Sequence, residues 1–213
     1  MRILALAALV LAAGTAQAVQ RNAVPVLSDA EIQANLNDGE GVEGRIDGDL
    51  NGDGDIDTAY IVRGDDSRSL HVQFAARSEF ELYHEPAGTL ALDAYPLGPA
   101  EIVIAKGVLV VTDLTGGTTA IQATYRFRGE KARPKMRLIG LDATLYSRTY
   151  AHDGAEMSWN VLTGNVIATT MKLVGSGENA TYDKSAVKRF KRPVKAYYME
   201  DTPDADATLG IAS

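Results

Sequence analysis

Short runs of β-branched and aromatic residues recur from residue 58 onward, separated by turn-forming clusters, and this pattern most constrains the fold. In residues 121–127 polar and mostly apolar side chains alternate, as in a strand with one buried face. The segments with strand character are residues 58–63, 70–75, 80–84, 101–105, 109–113, 120–127, 136–145, 157–162, 166–173 and 194–199. Short strands at this spacing predict an all-β fold, an antiparallel multi-sheet or propeller-like domain.

The first 18 residues predict a secretory signal peptide. Met1 and Arg2 give a positively charged start, residues 3–13 are apolar, and Ala16-Gln17-Ala18 is a small-residue cleavage signature. We find no other apolar run of comparable length in the sequence, so no membrane anchor is expected. The expected location is the periplasm, or the secreted fraction.

Helical signals are rare in this sequence, and one lies at the start of the mature chain. Ser28 and Glu31 form a capping-box pattern, and Ile32 and Leu36 follow at helical spacing, which predicts a short N-terminal helix. The length suits one domain with a sizeable core. We therefore expect a single β-rich domain over residues 19–200 and a disordered acidic tail over residues 201–213.

A run of acidic residues ahead of the first predicted strand has the spacing of a calcium-binding loop. An oxygen-bearing side chain stands at every second position, and a hard cation such as Ca²⁺ prefers six to eight oxygen ligands. The predicted metal ligands are Asp49, Asn51, Asp53, Asp55 and Asp57. Gly54 stands where such loops turn sharply. The alternative is an acidic surface turn that binds no ion.

The end of this loop differs from that of the helix–loop–helix calcium site. The twelfth position, where that site has a bidentate Glu, is Tyr60, and it lies in a predicted strand. Asp57, at position nine, is therefore the expected closing carboxylate. Position seven commonly contributes its backbone carbonyl, so we expect the Asp55 side chain to point to solvent.

The loop resembles the calcium loops that open strands in FG-GAP and related repeats. Tyr125-Arg126-Phe127, the strand at residues 136–142 and the segment at residues 159–167 (Trp-Asn-Val-Leu-Thr-Gly-Asn-Val-Ile) extend the resemblance. Together they resemble exported bacterial FG-GAP/VCBS-like proteins with a single calcium loop. These exported proteins are similar to the periplasmic immunity proteins of bacteria-killing type IV secretion systems, which resemble lysozyme inhibitors. The resemblance implies a protein that binds and inhibits a peptidoglycan hydrolase.

The segment at residues 175–182 loosely resembles the loop that periplasmic lysozyme inhibitors insert into the enzyme cleft. Its small residues suit entry into a groove, and Ser176 and Tyr182 are the candidates to hydrogen-bond catalytic carboxylates. The alternative is an ordinary connection between a strand and the basic segment at residues 188–195, which we expect to form a solvated edge strand.

Charge and composition narrow the function classes. The formal net charge of −7 argues against nucleic acid and anionic membranes, and the absence of cysteine excludes disulfides. The three histidines lack metal-ligand spacing, and no nucleophile motif is present, so we do not expect an enzyme. Paired carboxylates such as Asp142 with Asp153 leave a glycosidase as an alternative. A further alternative is a secreted calcium-dependent adhesion module that binds glycan or protein.

Overall fold

Antiparallel strands form two sheets in the part of the chain that a computed structural model describes, residues 22–210. The predicted signal peptide, residues 1–18, lies outside the described residues. The N-terminal sheet contains β1 (Gly41–Gly48), β2 (Asp57–Arg63), β3 (Arg68–Arg77) and β4 (Leu82–Ala91). The C-terminal sheet contains β5 (Glu101–Ala105), β6 (Val108–Gly116), β7 (Thr119–Gly129), β8 (Met136–Ser147), β9 (Gly154–Asn160), β10 (Asn165–Val174) and β11 (Thr181–Lys191).

In each sheet the strands are arranged in sequence order, and each pairs with its neighbours along the chain. Such pairing needs only short connections, which agrees with the turn clusters in the sequence. The two sheets confirm the prediction of an all-β, antiparallel multi-sheet fold; the propeller-like alternative is not what the described residues form. No helix within residues 22–210 is long and apolar enough to span a membrane.

The main core lies between the sheets. One cluster of buried side chains joins Leu70 and Phe74 of the N-terminal sheet to Phe127, Leu138 and Leu141 of the C-terminal sheet. The alternation of strand residues places these side chains on the facing surfaces, where burial of apolar area stabilises the fold. The alternation of residues in the sequence therefore corresponds to a core buried between two sheets.

The predicted N-terminal helix is confirmed as α1 (Asp29–Gln33), with both hydrogen bonds of its capping box. Ile32 packs on Tyr60 and Val62 of β2, on the outer face of the N-terminal sheet. Consequently six of the seven residues of β2 are buried, because the core covers one face and the helix covers the other.

The prediction of a disordered tail is wrong for residues 201–210. A turn of 3₁₀ helix at Met199–Asp201 is followed by α2 (Ala205–Leu209), and Ala205 and Leu209 belong to the main core. These two residues are four positions apart, so they lie on one face of the helix. The helix has five residues, too few for its periodicity to be recognised in sequence. The folded unit thus continues past residue 200; residues 211–213 lie outside the described residues.

A buried ion network ties the two sheets together. The Arg68 guanidinium of β3, fully buried, lies 2.7 Å from Glu43 of β1 and 2.9 Å from Asp113 of β6. Burial raises the pKa of Asp113 above its ordinary value. Burial also opposes ionisation of Glu43, but hydrogen bonds from Arg68 and the Ala100 amide lower its pKa overall. The network places one arginine between carboxylates from both layers.

Candidate functional site

The acidic loop connects β1 to β2 and rests on the end of β7. Leu50, inside the loop, is buried in the main core, and its carbonyl accepts a hydrogen bond from the Gly129 amide at 3.1 Å. A Cβ on Gly129 would lie 2.7 Å from that carbonyl oxygen and 2.8 Å from the Phe74 ring. Close packing against β7 therefore fixes the position of the loop, and it requires glycine at residue 129.

Within the loop, the side-chain oxygens hold the backbone in a tight coil. The Asp49 carboxylate accepts from the amides of Gly52 at 2.6 Å and Gly54 at 3.1 Å. The Asn51 side-chain oxygen accepts from the Asp53 amide at 2.9 Å, and Asp53 accepts from the Asp55 amide at 2.8 Å. These short-range bonds are the turns that Asp and Asn side chains favour.

Two glycines supply the conformations that this coil needs. Gly52 has φ of +79° and Gly54 has φ of +90°, both in the left-handed region. L-residues with a Cβ rarely adopt that region. The structure therefore places Gly54 at a sharp turn, as the sequence pattern predicted.

Asp57 closes the loop from the first position of β2. Its side chain is fully buried, and its two oxygens accept from the amides of Leu50 at 2.7 Å and Ala75 at 3.0 Å. Burial raises the pKa of Asp57 to about 6, although the two amides act against the shift, and the nearby charges of Asp53 and Asp49 raise it further. A cation near these carboxylates would favour the ionised form of Asp57.

Asp55 takes a different role from the other four candidate ligands. Its carboxylate forms an ion pair with Arg77 of β3 and accepts from the Val24 amide at 3.3 Å. The side chain is buried, so the expectation that it points to solvent is wrong. Its partners lie 22 and 31 residues away in the chain, which is why the local sequence gave no indication of them.

The donor atoms of the loop are of the chemical type that calcium prefers. All are carboxylate, amide or carbonyl oxygens, which a hard cation prefers, and a carboxylate oxygen that accepts one N–H bond retains a further lone pair. In residues 22–210, however, no group of three or more His, Cys, Asp or Glu side chains is already arranged to hold a metal ion. A site here therefore also depends on the Asn51 amide oxygen and on backbone carbonyls.

A basic residue missed in the sequence lies beside the loop. Lys131, in the β7–β8 connection, has its Nζ 3.4 Å from the position that a Cβ on Gly52 would occupy. An ammonium group at this distance partly offsets the negative charge of the loop. Lys131 and Arg77 carry no local sequence signal, because only the packing of distant segments brings them to the loop.

The candidate partner residues Ser176 and Tyr182 lie at the other end of the C-terminal sheet. Ser176 is exposed in the turn between β10 and β11, where a 3₁₀ turn spans Gly177–Asn179. The Tyr182 hydroxyl instead accepts from the Ser147 amide at 2.8 Å and donates to the His152 carbonyl at 3.0 Å. Tyr182 therefore anchors the base of the turn, and its hydroxyl is engaged inside the protein.

The histidines and paired carboxylates considered for catalysis are held in separate local contacts. His71 lies between the hydroxyls of Ser69, at 2.7 Å, and Thr89, at 3.4 Å, and burial lowers its pKa. Asp142 forms an ion pair with Arg126 at 2.7 Å. Asp153 forms a separate one with Lys172 at 3.3 Å. The structure does not bring Asp142 and Asp153 to a common site.

Comparison with known proteins gives no match: no protein-family model, no curated protein and no solved structure matches this chain.

Proposed function

We propose that this chain is an exported calcium-binding protein that binds and inhibits a peptidoglycan hydrolase. The observation that carries the calcium proposal is the coiled acidic loop at residues 49–57, with its oxygen donors and two left-handed glycines. The hydrolase proposal rests on the resemblance to periplasmic immunity proteins described in the sequence analysis.

Calcium would be held by the side chains of Asp49, Asn51, Asp53 and Asp57, with the backbone carbonyl of residue 55. The Asp55 carboxylate is engaged with Arg77, which agrees with a backbone role at this position. Bound calcium would offset the negative charge of the three neighbouring carboxylates. Its effect would be structural, because the loop joins β1 to β2 and rests on β7.

Inhibition would be by occlusion. Residues 175–179 are all exposed, four of them are small or polar uncharged residues, and they connect the antiparallel strands β10 and β11. The Tyr182 hydroxyl fixes the base of this turn. A turn of small residues on a fixed base can enter a groove at low entropic cost, and so block access of substrate.

The calcium proposal is tested by isothermal titration and thermal unfolding. We expect D49A/D53A to abolish calcium binding. Wild-type protein should gain about 2.7 kcal/mol of unfolding free energy at a calcium concentration 100 times the dissociation constant, since the ion binds only the folded form. E79A/E81A is the matched control, because it also removes two negative charges, but from an exposed hairpin tip. Equal melting temperatures for wild type in calcium and in chelator would contradict the structural role.

The hydrolase proposal is tested with the mature chain in calcium against the secreted and periplasmic peptidoglycan hydrolases of the producing organism. We expect one hydrolase to be bound stoichiometrically and inhibited. S176R should weaken this inhibition, whereas T163R, in the exposed turn at the opposite end of β10, should not. Failure to bind or slow any of these hydrolases would refute the proposal.

A further inference from the structure

A groove lined by tyrosines lies on the outer face of the C-terminal sheet, at the end remote from the calcium loop. Its volume is about 520 Å³. Tyr146, Tyr150 and Tyr182 line it together with Met171, which is 4 % exposed, and Arg148 and Lys184. We call this feature the tyrosine groove. It belongs to no site described above, apart from sharing Tyr182 with the β10–β11 turn.

The aromatic rings of the groove are held in place by the fold. The Tyr182 hydroxyl is fixed by Ser147 and His152, and its ring centroid lies 5.8 Å from that of Tyr150. Tyr150 has φ of +54°, a conformation uncommon for a residue with a side chain. Backbone of this kind persists only where the surroundings impose it. The Tyr182 ring is thus anchored before any ligand binds, and the Tyr150 ring lies against it.

The groove also carries an arginine that has no acidic partner. Lys184 is paired with Glu156 at 2.6 Å. Arg148 forms no ion pair with any residue between 22 and 210, and its guanidinium contact is the Gly117 carbonyl at 3.4 Å. None of the described residues that line the groove is acidic, so no carboxylate of the groove itself competes for this guanidinium. A planar guanidinium binds a carboxylate through two parallel hydrogen bonds.

We propose that the tyrosine groove binds a carbohydrate that carries a carboxylate. The C–H face of a pyranose ring packs on aromatic rings, while its hydroxyls bond to polar groups at the rim, and tyrosine offers both kinds of surface. The Arg148 guanidinium, which has no carboxylate partner within residues 22–210, selects an acidic sugar over a neutral one. The volume lies within the range of about 300–1,000 Å³ that small-ligand sites have.

This proposal is independent of the hydrolase proposal, and its test needs no hydrolase. The probes are the disaccharide N-acetylglucosaminyl-N-acetylmuramic acid and N,N′-diacetylchitobiose, called chitobiose below. They share a two-sugar body, and chitobiose lacks the lactyl carboxylate. Binding is followed by amide chemical shifts in ¹⁵N-labelled protein. We expect the acidic disaccharide to shift the amides of residues 146–150 and 182, and to bind about tenfold more tightly than chitobiose.

Two variants separate the sugar contact from the charge contact. R148Q should reduce affinity for the acidic disaccharide about tenfold and leave chitobiose binding unchanged, because only the carboxylate contact is lost. Y150A should weaken binding of both sugars. R189Q is the matched control, since Arg189 is exposed on β11 and does not line the groove. Thermal unfolding checks that each variant is folded.

Two results would overturn the proposal. The first is that neither disaccharide shifts these amides at about 10 mM, a concentration that detects even weak binding. The second is that R148Q binds the acidic disaccharide as wild type does. If Y150A and R148Q abolished hydrolase inhibition while neither sugar bound, the groove would be a protein interface and not a carbohydrate site.

Discussion

Strand β7 connects two ends of the C-terminal sheet that are built differently. At one end the Gly129 amide donates a hydrogen bond to the Leu50 carbonyl of the acidic loop. At the other end the strand begins beside the tyrosine groove, where Arg148 donates its amide to the Thr118 carbonyl. The strand has 11 residues, so it separates the two ends by roughly 34 Å. A cation held by the acidic loop would therefore be too far away to contact a ligand at the other end.

The two ends also differ in the sequence distance that their contacts cover. In the acidic loop, Asp49, Asn51 and Asp53 accept from amides two to five residues away. At the tyrosine end, Tyr182 reaches residues 30 and 35 positions earlier. The coil depends on a short run of sequence, whereas the tyrosine groove exists only when four strands, β8 to β11, are correctly paired. Changes that act on one end should thus leave the other intact.

Loss of the buried arginine should affect both ends and has the largest expected effect. R68M leaves the carboxylates of Glu43 and Asp113 buried without their counter-charge, which costs about 3–5 kcal/mol of unfolding free energy. R63M is the matched control, because Arg63 also faces Glu43, at 3.7 Å, but is 46 % exposed. We expect it to cost about 1 kcal/mol or less. Urea unfolding at pH 7 measures both, and equal losses would contradict a structural role for the buried network.

Crowding beside the acidic loop should affect that end of the sheet alone. G129A places a methyl group against the Leu50 carbonyl and the Phe74 ring, so we expect a loss of about 1–3 kcal/mol of unfolding free energy and weaker calcium binding. G117A adds the same methyl group at the tyrosine end, where nothing lies within 4 Å of it. Thermal unfolding and calcium titration compare the two. Unchanged calcium affinity in G129A would show that the loop does not depend on its packing against β7.

Removal of one hydroxyl should affect the tyrosine end alone and has the smallest expected effect. Y182F leaves the Ser147 amide without its acceptor, which we expect to cost about 1–2 kcal/mol of unfolding free energy. Y150F removes a hydroxyl for which residues 22–210 provide no hydrogen-bond partner, and should change stability by less than about 0.5 kcal/mol. Calcium affinity should be unchanged in both variants. A shift in calcium affinity on Y182F would show that the two ends are coupled.

The strand pattern in the sequence predicted most of the fold. The strand expected at 101–105 matches β5, and those at 120–127 and 136–145 fall within β7 and β8. Strand β1 was missed because three of its eight residues are glycines, which carry no strand signal. The first half of β11 was missed because its side chains are mostly polar and exposed; the edge strand was expected only from residue 188.

The strand predicted at 194–199 was wrong for a tertiary reason. Its alternating pattern is real, since Tyr197 packs on Trp159 and Met199 is buried against Gly88. The segment nevertheless makes only one bridge in the described residues, between Arg137 and Tyr198. It leads into the C-terminal helix that packs on the core, and does not add a strand to either sheet. Alternation thus shows which side chains are buried, but not whether a neighbouring strand is present.

The sequence by itself determined the coil of the acidic loop, the capped helix α1 and the order of most strands. These depend on contacts within a few residues, such as the Asp49 bonds to Gly52 and Gly54. Only the tertiary structure decided that Asp55 pairs with Arg77, that Tyr182 is an anchor, and that Arg68 joins the sheets. The partners in these contacts are 22 to 45 residues apart, so packing and burial selected them, and no local pattern could specify which charges would meet.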